Sequence, residues 1–355
     1  MTSANRINSI DVFRLFAITA VIAIHTTFFS PDQGPYEYAY ELVSQLSRYA
    51  VPFFFVVSGF FWGHKARSCI DISIYTTSVC KHLLFLFVVW SLIYILPINF
   101  GAMYDYGVLG PVKVVYWRIL TLSEEPLKFF FQGTRAHLWF IPSLITAMLI
   151  ANVFIARGWL KSLVLLSIIL YIVGVLANAY ADTPVGIYSY FNTGFGPFMG
   201  LALFVTGYGL SGTTQGKGYV QLHTLSYNKH WFWSGVVLFT LGSVSHIMEI
   251  AYLHNLYGTN VRMSYVFGTY FAGLGAALMA LSNSTWFDNQ KLANIGKLTL
   301  GVYLIHYVFV DMFDFVDKLT SHPAWEVSYI VIVLVFSIVS VKWMMHWQWT
   351  RRLVT

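Results

Sequence analysis

Apolar runs of roughly 18 or more residues recur along the whole chain, and a run of that length is the signature of a transmembrane helix. Placed on the sequence, the runs predict spans at 10–29, 47–63, 82–100, 137–156, 160–178, 192–211, 231–253, 264–282, 298–316 and 326–345. The chain is 57% hydrophobic and only 10% charged, where a soluble domain is about a quarter charged. Its 355 residues would suffice for two soluble domains, yet the runs leave no room for one. The expected fold is therefore an all-α integral membrane protein of about ten transmembrane helices. It is read as a single membrane domain over 1–355 with no appended soluble domain. The 12 Trp and 23 Tyr suit the two membrane interfaces.

An even number of spans puts both termini on one side, and charge asymmetry chooses the side. Arg6, Arg14, Lys65, Arg67, Lys81, Lys217 and most other basic residues fall at the termini and in the even-numbered loops. The alternate loops hold most acids, among them Asp32, Glu124, Glu125, Asp182 and Asp317. Both termini are thus expected in the cytoplasm. The formal net charge of +6 is scattered between apolar runs, which argues against a nucleic-acid partner. Cys69 and Cys80 share one cytoplasmic segment and are expected as free thiols. No metal motif is present. The Arg6–Ile24 stretch resembles a signal peptide, but no small-residue cleavage site follows, so it is read as a retained first span. The long outer segment, about 101–136, has Gly, Pro, Tyr and Trp and is expected to carry a short interfacial helix.

Ionisable residues inside hydrocarbon are costly and usually functional. Asp11, Arg14 and His25 all lie in the first span. Eleven residues separate Arg14 from His25, so they differ by only about 20° around a helix and lie about 16 Å apart along it. Asp11 sits one turn before Arg14 and can pair with it. The plainer alternative makes the charged pair an interfacial anchor and His25 a packing hydrogen bond. In the seventh span, His246 and Glu249 share a face, and a carboxylate there can orient an imidazole; the alternative is a solvated Glu249. His137 and Trp139 open the fourth span, where an aromatic belt is the ordinary explanation. His306 lies in the middle of the ninth span, with Asp311 and Asp314 toward solvent. Ser58 and Gly59 permit close helix approach. After the second span, Lys65 and Arg67, with Lys81, form a basic patch that either sets topology or holds a phosphate-bearing ligand.

Five stretches in order resemble the acyltransferase-3 family of membrane O-acyltransferases. They are Asn8-Ser-Ile-Asp11-Val-Phe-Arg14 followed by His25, Val51-Pro-Phe-Phe-Phe-Val-Val-Ser-Gly59, His137-Leu-Trp-Phe, Ser245–Glu249 with Phe267-Gly-Thr-Tyr270, and Leu300-Gly-Val-Tyr-Leu-Ile-His306. The fourth resembles the branch that O-acetylates bacterial surface polysaccharides. The resemblance implies transfer of an acetyl group from cytosolic acetyl-coenzyme A, as donor, to a hydroxyl of a glycan or lipid-linked sugar in a bacterial cytoplasmic (inner) membrane. No metal is implied, and oligomeric state is left open. The family's Arg and His carry over to Arg14 and His25. Its basic motif commonly has two arginines three apart; here the place reads His64-Lys65-Ala66-Arg67, and only Arg67 fits. Donor phosphates are expected on Arg14, Lys65, Arg67 and Lys81. His25 acts as general base or as a transient acyl carrier, Asp11, Glu249 and His137 complete the candidate catalytic set, and Trp139, His246 and His306 are candidate sugar contacts. The competing function is a proton-coupled exporter or flippase of a glycan; a third is a non-catalytic partner in polysaccharide assembly.

Overall fold

The computed structural model describes residues 7–26, 37–68, 71–213, 227–258, 265–320 and 323–355. Among these residues the regular structure is helical throughout. The first half holds α1 (Asn8–Thr26), α2 (Glu37–Ser47), α3 (Ala50–Ala66), α4 (Ile72–Ile93), α5 (Ala102–Tyr106), α6 (Gly110–Glu124), α7 (Pro126–Gln132) and α8 (Phe140–Ala156). The second holds α9 (Leu160–Leu176), α10 (Pro197–Thr213), α11 (Lys229–Tyr257), α12 (Phe267–Leu281), α13 (Gln290–Gly296), α14 (Thr299–Asp317), α15 (Pro323–Met344) and α16 (Gln348–Arg351). Every expected span overlaps one of these helices. Six stretches among the described residues are long and apolar enough to cross a membrane: α1, α4, α8 with the turn before it, α11, α14 and most of α15. The shorter α9 and α12 are also apolar.

Three elements depart from the sequence expectation. The third span was expected at 82–100, but α4 starts ten residues earlier. Cys80 and Lys81, expected in the connecting segment, lie inside α4, because Asp71 caps the helix, accepting from the amides of Ser73 at 2.8 Å and Ile74 at 3.3 Å. The segment 101–136 contains three helices, α5 to α7, rather than one. The loop before the second span carries α2. The expectations placed on Arg6, Asp32, Cys69 and Lys217 lie outside the described residues; Cys80 is a buried free thiol.

Burial sorts the long helices into centre and rim. Over an 18-residue apolar stretch of each, 67% of α1 and 56% of α14 are buried, against 28% of α4 and α11 and 22% of α15. The rim helices turn apolar stripes outward: Val327, Val331, Val335 and Val339 on α15, and Val237, Leu241, Val244 and Met248 on α11. Exposed faces of that kind in a long apolar helix match lipid as the solvent. A polar side chain on α1, by contrast, faces protein. α1 packs against α2, α3, α12, α13, α14 and α15.

Close helix approach depends on small residues, as expected at Gly59. A Cβ there would lie 2.0 Å from the Phe204 carbonyl oxygen on α10, and one at Gly207 would lie 1.9 Å from that of Val56 on α3. Backbone meets backbone at this crossing, so nothing flexible can yield. Gly207→Val should therefore cost at least the roughly 1–3 kcal/mol typical of overpacking and lower the thermal midpoint of the detergent-solubilised protein by several degrees. Gly209→Ala, with nothing within 4 Å of the new Cβ, should not. Equal midpoints for the two variants would contradict the crossing.

Candidate functional site

α1 is one continuous helix, so the polar stripe inferred from its period is real geometry. At one end the Arg14 guanidinium donates to the Asp11 carboxylate at 2.8 Å and lies over the Phe61 ring of α3 at 5.2 Å. Asp11 is buried and Arg14 half-buried. At the other end stands His25, half-buried.

His25 meets two more imidazoles. Its ring centroid is 5.6 Å from that of His306 on α14 and 6.3 Å from that of His137, which sits in the turn Ala136–Trp139 leading into α8. His137 and His306 are 5.0 Å apart. Tyr307 stacks on His137 at 4.9 Å and lies 5.0 Å from His25. Tyr94, just after α4, meets the edge of His137 at 5.1 Å. Helical spacing explains the assembly: Tyr303, His306 and Tyr307 follow an i, i+3, i+4 pattern on one face of α14. The Tyr303 hydroxyl donates to the His137 carbonyl, which pins the turn against α14.

The hydrogen bonds orient one imidazole. Nδ1 of His306 lies 2.7 Å from the Tyr303 carbonyl oxygen. A carbonyl only accepts, so Nδ1 carries hydrogen and Nε2 presents its lone pair. Nε2 of His306 is buried without a hydrogen-bond partner. A buried nitrogen of that kind is rare unless a ligand or water completes it.

An ionic layer closes this end. Asp311, one turn beyond Tyr307 on α14, is only 2% exposed and is ion-paired with Arg135; Arg118 of α6 approaches it at 3.8 Å. Solvation of Asp311 was the sequence expectation, and the structure replaces it with burial between two guanidiniums. Arg135 also lies over the Tyr307 ring at 4.5 Å, and Arg118 donates to the Tyr94 carbonyl at 2.7 Å. Both arginines line a cleft of about 430 Å³ formed by the 106–136 segment. Arg48 lies within electrostatic reach of His25 and of His246.

The remaining sequence candidates have other neighbours. His246 bridges three helices: Nε2 contacts the Gln45 side-chain oxygen of α2 at 2.9 Å, and Nδ1 the Thr269 hydroxyl of α12 at 2.8 Å. The Gln45 oxygen accepts, so Nε2 donates and Nδ1 accepts from Thr269, whose oxygen in turn accepts from the Val266 amide at 2.9 Å. The Glu249 carboxylate accepts from the amides of Phe267 and Gly268 at 3.1 and 3.0 Å, at the start of α12, and from the Tyr180 hydroxyl at 2.6 Å. Burial and this carboxylate push the Tyr180 phenol up, so it stays a donor. These contacts make Glu249 a helix cap. Trp139 packs on Phe55 and Phe195. Lys65, one turn beyond Phe61 on α3, and Lys81, inside α4, are exposed. Arg67 is held by α10: it donates to the Tyr208 carbonyl at 3.0 Å and to Ser211, and stacks on the Tyr208 ring at 4.0 Å.

Sequence reasoning thus named all three imidazoles but missed Tyr303, Tyr307, Tyr94, Arg118 and Arg135. Arg135 carries a usable signal, a charge two residues before His137 at a span boundary. Removing one partner of a buried ion pair costs about 3–5 kcal/mol. Asp311→Asn should accordingly lower the thermal midpoint sharply and open the layer above Tyr307. An unshifted midpoint would mean that the two arginines do not depend on Asp311.

Residues 7–346 match a family model described as an acyltransferase domain. An amino-acid racemase of Enterococcus faecalis is 29% identical over 180 residues, 50% of this chain and 23% of the relative. A second amino-acid racemase of the same organism is 30% identical over 189 residues, 51% of this chain and 23% of the relative. The matched part thus spans about a quarter of the length of these curated relatives. No solved structure matches the chain. With nearly its whole length matched, this chain belongs to the acyltransferase-3 family of membrane acyltransferases.

Proposed function

We propose that this acyltransferase moves an acetyl group from acetyl-coenzyme A across the membrane to a hydroxyl of a surface-polysaccharide or lipid-linked glycan sugar. The observation that carries the reading is the convergence of His25, His137 and His306 at the end of the α1 stripe opposite Arg14. The chain acts as one membrane domain of ten spans in a bacterial inner membrane, with both termini in the cytoplasm. Arg14 and the basic patch then face the donor, and the imidazoles face the acceptor.

Lys65 and Lys81, both exposed, attract the donor's phosphates together with Arg14. Arg67 contributes its charge, while its hydrogen bonds hold α3 to α10. The donor's thioester arm extends between helices along the α1 face, a distance of about 16 Å. His25 takes the proton from the acceptor hydroxyl. The oxygen attacks the thioester carbonyl, the carbon–sulfur bond breaks, and the thiolate leaves with the proton from the imidazolium. The products are an O-acetyl ester and free coenzyme A. The same geometry serves a two-step route in which His25 first takes the acetyl group and then yields it to the hydroxyl. His306, with Nε2 presenting its lone pair, and His137 support the proton's passage. The Tyr307 ring and Arg135 hold the cluster in place.

Purified protein given labelled acetyl-coenzyme A and a glycan acceptor should release free thiol and acetylated glycan. His25→Ala should reduce this at least 100-fold, the lower end of what a general base supplies, while remaining folded by thermal unfolding. Undiminished transfer by that variant would remove His25 from the chemistry. Lys65→Gln should raise the donor KM about 2–5-fold, in keeping with the ~0.5–1 kcal/mol of an exposed ion contact, and leave saturated turnover unchanged. A KM equal to that of the unaltered protein would place the phosphates elsewhere.

A further inference from the structure

The chemistry just described needs a place for the acceptor, and the cleft formed by the 106–136 segment is built like a small-molecule site. Its volume of about 430 Å³ falls within the roughly 300–1,000 Å³ of ligand pockets. Trp117 and Phe129 supply aromatic lining, and Thr121 and Gln132 supply neutral polar groups. Trp117 is 57% exposed, which leaves an indole face open. Arg118 also lines the cleft. Its Nη2 faces Asp311 at 3.8 Å and its Nη1 donates to the Tyr94 carbonyl, so it contributes charge at the cleft wall.

Aromatic faces with interleaved planar donors and acceptors suit a pyranose ring. The C–H face packs on the indole, and the hydroxyls pair with amide and hydroxyl groups. Charge narrows the class. Arg118 and Arg135 are offset by Asp311, which pairs with both, and by Glu125 in the lining, so the described charges balance and favour a neutral ligand. The contact path to the imidazoles is short: Arg135 lies over Tyr307, and Tyr307 stacks on His137.

We propose that this cleft is the acceptor subsite and binds a neutral pyranose, stacked on Trp117 and hydrogen-bonded by Gln132 and Thr121. The assignment rests on the acetyl-transfer reading for its role, but its binding chemistry is separately measurable.

The probe is a panel of methyl glycosides of neutral hexoses, added to the full chain in lipid nanodiscs and followed by saturation-transfer NMR. At least one glycoside should receive saturation. Trp117→Ala and Gln132→Ala should each reduce the signal at least five-fold at an unchanged thermal midpoint. Val112→Ala, exposed on α6 but outside the lining, should retain it. Saturation of none of the glycosides, or equal saturation in the two cleft variants, overturns the subsite. Preference for a hexuronate or a sugar phosphate overturns the neutral assignment. Acetyl-coenzyme A binding on the same samples separates the two readings. Sugar binding without donor binding supports the cleft and removes the donor reading, whereas donor binding without sugar binding removes the cleft.

Discussion

Ionisable groups cost several kcal/mol in hydrocarbon unless protein encloses and pairs them, and this chain concentrates its interior ones on its most enclosed helices. α1 and α14 are the most buried of the long helices, and between them they carry Asp11, Arg14, His25, His306 and Asp311. The rim helices shield them with apolar stripes that face lipid. Enclosure also requires close packing, which Gly59 and Gly207 permit where α3 crosses α10. The fold is arranged so that one polar path lies inside an apolar shell.

Along that path the chemistry changes character. The Arg14 end is ionic and partly open. The His25 end is aromatic and imidazole-rich, with a buried ring nitrogen that lacks a partner. Above it, Asp311 binds two arginines together. An ion pair so deeply buried contributes little net stability; its effect here is to hold Arg135 over Tyr307 and Tyr307 against His137. In the proposed function, phosphates meet the ionic end and a hydroxyl meets the imidazole end.

How much of this was legible follows from the range of each contact. The α1 stripe depends only on helical period, so Arg14 and His25 could be placed on one face from spacing alone. Each expected span overlaps a helix because apolar length is a local property. α4 was misplaced at its start because the charge of Lys81 was taken as part of the loop, while a single side chain, Asp71, sets the true boundary. Contacts distant in sequence were not legible. Nothing local distinguishes Asp311, which pairs with Arg135 across 176 residues, from a solvated acid. Glu249 looked like an orienting carboxylate, yet its oxygens cap α12, and His246 bridges Gln45 and Thr269. The partners of both lie far away in sequence, so spacing alone could not supply them.

The central claim is that donor and acceptor meet the protein from opposite faces, joined by the α1 path. Sealed vesicles containing the protein in one known orientation test it directly. Acetyl-coenzyme A is supplied only on the face of the N-terminus and glycan acceptor only on the other, with a membrane-impermeant thiol reagent reporting where coenzyme A is released. The account predicts acetylated glycan on the acceptor face and free thiol on the donor face. Acetylation only when both substrates share one face would contradict it.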